Sequence, residues 1–304
     1  MSAFGAWTRG AIVLASVVAG TPVQAQSRSG TEQAPLVELW AALGSAVTSA
    51  SGDLPSSYSP LLVGSSGFTG TGRQTLSFQG DHSIGVQAGI NVFPAPHAGV
   101  QILFDRLPAT LSGANTPYDV SLTYISRQPP NDEPILVSIH TTTPWPDTSG
   151  SLTQVALGFN GVVRGGRIDR VSATASGGLS YYRLSGTVQP LGYTEFRLGG
   201  HSVLFSDEYH LSASLEPTHV LGLNAGADVN IAAGRHAAIV LGYRYLGGPT
   251  TDVAVRPAGV INADQVIVQH TVEEISPRLT VGPARVKVSG TRFVIGVKLR
   301  FAGN

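Results

Sequence analysis

One triplet of this sequence, His210-Leu211-Ser212, has the residue types of a nucleophilic site. A neutral imidazole can accept the proton of a serine hydroxyl when a carboxylate orients the ring, and Glu208 or Glu216 is close enough along the chain to serve. The chain holds eight His and many Ser, so such a triplet also arises by chance. We therefore predict no catalytic residue.

Metal, cofactor and nucleic-acid chemistry find no support in the sequence. The other histidines are scattered without the spacing of a metal site, and the glycines within extended segments do not form a phosphate-binding pattern. The formal net charge is zero, whereas nucleic-acid binding needs a basic surface. We expect no metal, no cofactor and no nucleic-acid partner.

The elements that would position any functional side chain are strands. In residues 292–301 the large apolar residues Phe293, Ile295, Val297, Leu299 and Phe301 alternate with polar, small or charged ones. Side chains alternate across a strand with period two, so this segment presents one apolar face and one charged face. An apolar face toward lipid and a charged face toward a wet interior are typical of a membrane-spanning β-strand.

The same alternation recurs along the chain and pairs into hairpins. Short connections rich in Gly and Pro join 83–93 to 100–106, 153–163 to 171–184, and 220–231 to 237–245. Long polar connections alternate with these turns, and they are Thr48 to His82, Leu107 to Leu152, Ser185 to His219 and Leu246 to Arg285. With the last strand and a first strand within 37–47, the count is about eight.

Two details of this topology have alternatives. Leu36, Leu39, Trp40, Leu43 and Val47 also recur at helical spacing, but a barrel without a strand here would keep an open edge, so closure favours the strand. Residues 118–125 and 135–140 look extended. We interpret them as a hairpin that continues the sheet beyond the membrane, the alternative being two more membrane strands and a total of ten.

The N-terminus indicates export. Arg9 precedes the apolar run 11–20, and small residues follow at the positions that a signal peptidase reads, which predicts a signal peptide over residues 1–25. Residues 26–304 then form one barrel domain without cysteine and therefore without disulfides. Glu38, Asp105, Asp228, Arg244, Lys298 and Arg300 are expected to face the lumen. Because side chains fill an eight-stranded barrel, mutual neutralisation is favoured over a conduction path.

With this pattern the chain resembles the small bacterial outer-membrane β-barrel family, which contains the OmpA-like transmembrane domain and the Opa-type barrels. Gly296, Leu299 and Phe301 match the C-terminal assembly signal of that family, although Val294 stands where a polar residue is usual and three residues follow the aromatic. The resemblance implies an all-β, antiparallel up-and-down transmembrane barrel with long extracellular loops. It also implies location in the bacterial outer membrane, with outer-membrane lipid and the barrel assembly machinery as partners.

We therefore expect a structural role, or recognition of an extracellular ligand by the loops, and no enzymatic activity. We expect the protein to be a monomer. The alternative is a narrow porin-like channel for ions or small solutes, and behind it stands a lipid-modifying enzyme. A family of outer-membrane lipid hydrolases carries His-x-Ser on a barrel strand, but that pattern continues with Asn where Ala213 stands, and the triplet falls in a predicted loop. A soluble lipocalin-like barrel would use the same alternation with its faces exchanged.

Overall fold

The computed structural model describes residues 35–46, 50–63, 68–81, 83–114, 117–128, 133–166, 168–199 and 202–302, so the predicted signal peptide lies outside the described residues. This part of the chain is almost entirely β-strand, and none of its helices is long and apolar enough to cross a membrane. Its elements are β1 (Pro35–Ala46), β2 (Ala50–Tyr58), β3 (Leu61–Val63), β4 (Thr69–Gly80), β5 (Ser83–Val92), β6 (Ala98–Gly113), β7 (Tyr118–Gln128), β8 (Glu133–Thr143), β9 (Thr148–Arg164), β10 (Val171–Gly199), β11 (Ser202–Ala232), β12 (Ala237–Val253), β13 (Val255–Val260), α1 (Val272–Ile275) with a 3-10 turn (Ser276–Arg278), β14 (Leu279–Val281) and β15 (Ala284–Ala302).

Eight of the described strands close into a ring in the order β1-β5-β6-β9-β10-β11-β12-β15, and β15 pairs back onto β1. Every pair in the ring is antiparallel. The predicted all-β, antiparallel up-and-down barrel is thereby confirmed, and so is the first strand, which lies between β15 and β5 and is not a helix. Short turns join β5 to β6, β9 to β10 and β11 to β12, as the Gly and Pro clusters predicted.

The first three long connections are not the polar loops that the sequence suggested, because most of their described residues are strand, and the fourth is strand on both sides of residues 261–278. On β15, Ala46 faces Arg292 and Ala50 faces Val288, so β2 continues β1 in the same register. In the same way β4 leads into β5, β13 follows β12 along β11, and β14 precedes β15 along β2. The barrel wall therefore extends well beyond the eight predicted strand segments.

The predicted β7–β8 hairpin continues the sheet above the ring, which settles the strand count of the described ring at eight. β7 pairs with β4 over Thr69–Arg73, and β8 pairs with β7 along its whole length. No described strand pairs with the other edge of β8. Short β3 runs parallel to β10 at Glu195–Arg197 and crosses the mouth of the barrel.

A reversal of polarity along single strands divides the barrel into two sections. In β6 the exposed residues run from Val100, Ile102 and Phe104 to Arg106, Pro108 and Thr110, while the buried ones run from Gln101 and Asp105 to Leu107, Ala109 and Leu111. We call the part from the short turns up to the level of Arg106 the lower section, and the part beyond it the upper section. The lower section is apolar outside and mainly polar inside, where Trp40, Ala42, Leu103 and Val294 form a small apolar cluster, and the upper section is the reverse.

An apolar belt surrounds the lower section. Its side chains are large, apolar and exposed although they belong to regular strands, and they include Leu43, Ile84, Ile102, Phe159, Leu179, Leu221, Leu223, Ile295 and Val297. The aromatic residues Phe104, Tyr243, Tyr245, Phe293 and Phe301 are exposed on the same outer face. From Leu221 to Ile231 a strand rises about 33 Å, which a tilt of about 40° reduces to a belt about 25 Å tall.

The upper section is built like a water-soluble β-barrel. Leu54, Leu76, Leu111, Leu184 and Val286 are completely buried in one apolar cluster. The residues that alternate with them are exposed and polar, for example Asp53, Thr75, Ser77, Thr110 and Lys287. Thr on an exposed face suits a strand well, and the buried apolar residues between these polar ones explain why segments that resemble loops in the sequence are folded sheet.

Candidate functional site

The polar interior of the lower section gathers the charged residues that the sequence pointed to. Glu38, Asp105, Asp228, Arg244 and Lys298 are all buried, and the side chain of Arg300 is largely buried. All six face the lumen, and they fall into two groups at different heights. The role of these charges depends on whether they leave an open path or neutralise one another.

Near the short turns, Glu38 is the common partner of three cations. Its carboxylate lies 3.3 Å from Lys298 Nζ, 3.3 Å from Arg300 Nε and 3.6 Å from Arg164 Nη1. Glu38 and Arg300 face each other in register across the β1–β15 seam. The Arg164 guanidinium also lies 4.1 Å above the ring of Phe93, so side chains from four strands or turns converge here. Glu38 and its three cationic partners therefore fill the lower end of the interior with charged side chains.

Higher in the lower section the remaining charges form two close pairs. Arg244 Nη1 donates to Asp228 Oδ1 at 2.5 Å, and Thr174 Oγ1 donates to the other oxygen of this carboxylate at 3.2 Å. Arg292 donates two hydrogen bonds to Asp105, one of them from Nη1 to Oδ1 at 2.9 Å. Both side chains of this pair are 1% exposed. Within the described residues each buried carboxylate of the lower section therefore has a cationic partner.

A chain of amide side chains links the charged groups. Asn91 donates from Nδ2 to Glu38 (3.1 Å), while its Oδ1 accepts from Trp40 Nε1 (3.3 Å) and from Gln101 Nε2 (2.9 Å). Asn160 Nδ2 in turn donates to Gln101 Oε1 (2.8 Å). Such a network fixes side-chain positions across several strands. The lumen is a packed polar core and not a row of solvated charges.

Two further cations belong to this interior but were not among the six charged residues named from the sequence. Arg292 stands on the charged face of the last strand, and the same alternation that selected Lys298 and Arg300 also places it inside. Arg164 was assigned to a turn, yet it ends β9 and its side chain reaches Glu38. The alternation holds the signal for Arg292, whereas the position of Arg164 depends on how the turn folds.

Apolar side chains seal the level at which the two sections meet. Ala46, Leu107, Leu246 and Val288 approach one another there around a cavity of about 10 Å³ that Gln154 and Arg292 also line. This volume holds at most one water molecule. The apolar cluster of the upper section begins directly above it.

The mouth of the upper section is covered by residues 261–278, which we call the mouth segment and which contains α1. Asn262 is held by two hydrogen bonds to the backbone of β11, from His210 N and to Glu208 O, both 2.8 Å. The carboxylate of Asp207 accepts from the backbone N–H of Ile267 at 2.9 Å, and Ile275 inserts into the apolar cluster. The mouth segment is therefore an ordered cover.

His270 of the mouth segment lies between two carboxylates. Its Nε2 is 2.7 Å from the buried Glu195 and its Nδ1 is 3.3 Å from Glu274. The pKa of Glu274 is lowered, mainly by the hydrogen bond from the Thr271 backbone N–H and next by the hydrogen bond with the His270 side chain. These contacts join the mouth segment to β10.

Four tyrosines pack below the mouth segment, with ring centroids 5.3 to 5.7 Å apart in the order Tyr209, Tyr193, Tyr58 and Tyr118. Burial raises the pKa of Tyr193 to about 12 and raises the pKa of Tyr58, Tyr118 and Tyr209 further. Tyr209 donates to the carbonyl oxygen of Val268 at 2.8 Å. Neutral, buried phenols here contribute to packing.

The nucleophile triplet lies on β11, not in a loop, and its side chains are engaged elsewhere. Ser212 Oγ donates to the Gly259 carbonyl oxygen at 3.3 Å, while the His210 ring packs edge-on against Trp145 at 4.6 Å between centroids. Burial lowers the pKa of His210. A nucleophilic site requires a hydrogen bond between the serine hydroxyl and the histidine ring. Ser212 and His210 form no such bond in the described structure.

The residues that match the assembly signal lie at the end of β15 with different orientations. Leu299 and Phe301 belong to the apolar belt, and each is 48% exposed. Gly296 faces inward against β1, where an added Cβ would come 2.6 Å from that of Ala42. The two side chains of this match are therefore presented on the outer surface.

No family model and no curated protein matches this chain. Among solved structures, the outer membrane protein OprG from Pseudomonas aeruginosa is similar at 12% identity and a TM-score of 0.39, covering 89% of this chain and 97% of that one. Neisserial surface protein A is similar at 11% identity and a TM-score of 0.35, covering 86% of this chain and 97% of that one. The outer membrane protease OmpT from Escherichia coli is similar at 8% identity and a TM-score of 0.34, covering 87% of this chain and 97% of that one. These values are too low to support a statement about the role of the chain.

Proposed function

We propose that this chain is an integral protein of the bacterial outer membrane whose barrel is closed to solutes and performs no catalysis. Its role is to hold the folded upper section outside the membrane, as an envelope component or as a surface that is recognised. The observation that carries this proposal is the polarity reversal along β6, where Phe104 and Thr110 are exposed on one face of one strand.

The membrane location rests on the contrast between the two sections. A soluble barrel is apolar inside and polar outside, and the upper section has that arrangement around Leu54, Leu76 and Leu111. The lower section has the opposite one, with Ile102 and Phe159 outside and Gln101 and Asn160 inside. A belt about 25 Å tall around a closed ring without free edges matches the outer-membrane type of barrel.

Closure rests on the filling of the interior. Three carboxylates form ion pairs with the five cations described in the lower section: Asp105 pairs with Arg292, Asp228 pairs with Arg244, and Glu38 is shared by Arg164, Lys298 and Arg300. The apolar seal and the mouth segment lie above them. An ion crossing this barrel would have to break the pairs and then enter an apolar core, and both steps are costly.

Single-channel recording in planar bilayers tests closure. We expect no current steps from the purified, folded wild-type barrel. An outer-membrane porin with an open channel, reconstituted and recorded under the same conditions, is the control that shows that conduction is detectable. Reproducible steps from the wild type would contradict the proposal and support the narrow channel.

The membrane location and the lack of catalysis have their own measurements. A closed barrel resists unfolding in cold detergent and migrates differently before and after boiling, and we expect this together with recovery in the outer-membrane fraction. Recovery in the soluble periplasmic fraction would overturn the location. Release of fatty acids from phospholipid vesicles by the pure protein, abolished by Ser212→Ala, would overturn the absence of catalysis.

A further inference from the structure

We propose that Arg106, Arg183 and His219 form a binding site for the phosphate group of an anionic lipid on the outer rim of the apolar belt. The three side chains are exposed on β6, β10 and β11. This inference rests on the membrane placement proposed above and goes beyond it, since it assigns a partner to a defined patch of the rim.

The three residues lie in one row across four neighbouring strands. Arg106 faces Val155 on β9, Val155 faces Arg183, and Arg183 faces His219. Adjacent strands are about 4.8 Å apart, so the Cα atoms of the two arginines are about 10 Å apart and His219 is about 5 Å beyond Arg183. Guanidinium groups on flexible stems can converge on one phosphate from these positions.

The row directly below is the upper boundary of the belt. It consists of Phe104, Leu157, Tyr181 and Leu221, which face one another in the same order of strands. On β6, β10 and β11 the polar residue of the row is therefore the first one beyond the exposed apolar side chain that ends the belt on that strand. The His219 ring stacks on Tyr181 with 5.2 Å between ring centroids and 13° between planes, which fixes one donor of the site at the rim.

Nothing described around the row neutralises its charge. Neither arginine forms a salt bridge with a described carboxylate, unlike the exposed Arg285 and Arg256, which pair with Asp252 and Glu216. The next row up on β6, β9 and β10 is Pro108, Thr153 and Ser185. Two arginines without a described carboxylate partner, above an apolar floor, complement a headgroup that has its negative charge on phosphate and its acyl chains below.

The opposite side of the barrel has a different rim. On β15 the residues that follow Phe293 upward on the outer face are Thr291 and Ser289, both neutral. The nearest exposed cation of β15 on this face, Lys287, lies two residues beyond Ser289 and not directly above the belt aromatic, so the proposed site is assigned to the β6–β11 side. A general attraction to anionic membranes would not need such a restriction.

Lipid binding to the refolded barrel tests the site. The protein is inserted into phosphatidylcholine vesicles that contain a small fraction of fluorescent phosphatidic acid, which carries an exposed phosphomonoester, and energy transfer from the barrel is measured. We expect saturable binding to the wild type that is at least about tenfold weaker in Arg106→Ala with Arg183→Ala, since charge-assisted hydrogen bonds are lost. Arg106→Lys with Arg183→Lys should keep part of the affinity.

Two controls separate a lipid site from a general attraction between cations and phosphate. Arg285→Ala removes an exposed, ion-paired arginine higher on the other flank and should leave binding unchanged. Inorganic phosphate at the same concentration should not compete, because it lacks the acyl chains that the apolar floor holds. Equal binding by wild type and double alanine variant, or full competition by free phosphate, would overturn the lipid site.

Heat-modifiable migration and insertion into the vesicles are measured on the same samples. A wild type that inserts but shows no preference for phosphatidic acid refutes the lipid site and leaves the proposed function intact. A wild type that does not insert refutes both. Double alanine variants that insert normally and lose the preference support the site without any contribution from misfolding.

Discussion

Asp105 on β6 and Arg292 on β15 are joined by two hydrogen bonds across the interior of the barrel, although 187 residues separate them in sequence. Both side chains are almost completely buried. The pair connects the third strand of the chain in the ring with the last one, with β1 and β5 between them along the wall. It is therefore a tie across the lumen and not a contact between neighbouring strands.

Breaking this tie should destabilise the barrel strongly. Asp105→Asn leaves a buried guanidinium without its counter-charge, and removal of one partner of a buried pair costs about 3 to 5 kcal/mol. Urea unfolding in detergent measures the loss. The exposed pair of Asp252 and Arg285 is the matched control, and Asp252→Asn should change stability by no more than about 1 kcal/mol. Similar losses in the two variants would refute the structural role of the lumenal pair.

The seam between the first and last strands gives a second prediction. Because Glu38 faces Arg300 in register, cysteines at these positions should form a disulfide in the folded barrel. Cysteines at Glu38 and Gly296, four residues out of register, should not. Glu38→Arg should lower folding yield, and Arg300→Glu added to it should recover part, because one of the three cations around position 38 then changes sign. If neither the cross-link nor the recovery of folding yield is observed, β1 and β15 do not close the barrel in this register.

The apolar belt predicts a dependence on height along a single strand face. Val297 is 61% exposed in the middle of the belt, whereas Thr291 lies on the same face above it. Val297→Arg should cost about 2 to 4 kcal/mol in lipid vesicles, because a cation at the midplane is far from water. Thr291→Arg places the same side chain at the rim and should fold almost like the wild type. Equal folding yields would mean that this face is not in lipid.

Alkaline pH should destabilise the upper section. The pKa of Tyr193 is about 12 and those of Tyr58, Tyr118 and Tyr209 are also raised, whereas an unfolded tyrosine ionises near pH 10. Their contribution to stability is therefore complete below about pH 10 and is lost as pH rises toward 12, because the unfolded state releases its protons first. Unfolding measured against pH, together with phenolate absorbance, checks this. Tyr193→Phe should remove one late titration step, and simultaneous titration of all nine tyrosines near pH 10 would contradict the burial.

The C-terminal aromatic predicts a difference between cells and the test tube. If Phe301 is read by the assembly machinery, Phe301→Ala should reduce insertion in cells while the purified protein refolds into detergent as well as Phe293→Ala. Phe293 is the control, since it is an exposed belt aromatic on the same strand and face. Normal insertion of Phe301→Ala in cells would refute the assembly role of this residue.

The alternation of apolar and polar residues predicted the lower section correctly but did not reveal the strands of the upper section. Ile102 against Gln101, or Val297 against Lys298, contrasts apolar with polar side chains so sharply that the facing direction follows from the sequence. In the upper section Thr75 and Ser77 alternate with Leu76 and Phe78, but irregularities in the strands, such as those in β10 after Leu184 and Val188, shift the phase. Segments in which short alternating runs are interrupted by turn-forming residues then resemble loops in the sequence. The tie between Asp105 and Arg292 joins distant strands and depends on the curvature of the ring, which periodicity does not encode.

The polarity reversal within β6 also determines how deeply the protein is immersed. If the barrel sank, Arg106 and Thr110 would enter hydrocarbon; if it rose, Ile102 and Phe104 would meet water. Both displacements are unfavourable, so the barrel cannot adapt to a thicker or thinner bilayer by sliding along its axis. A mismatch in thickness must then be absorbed by deformation of the surrounding lipid or by tilting of the whole barrel.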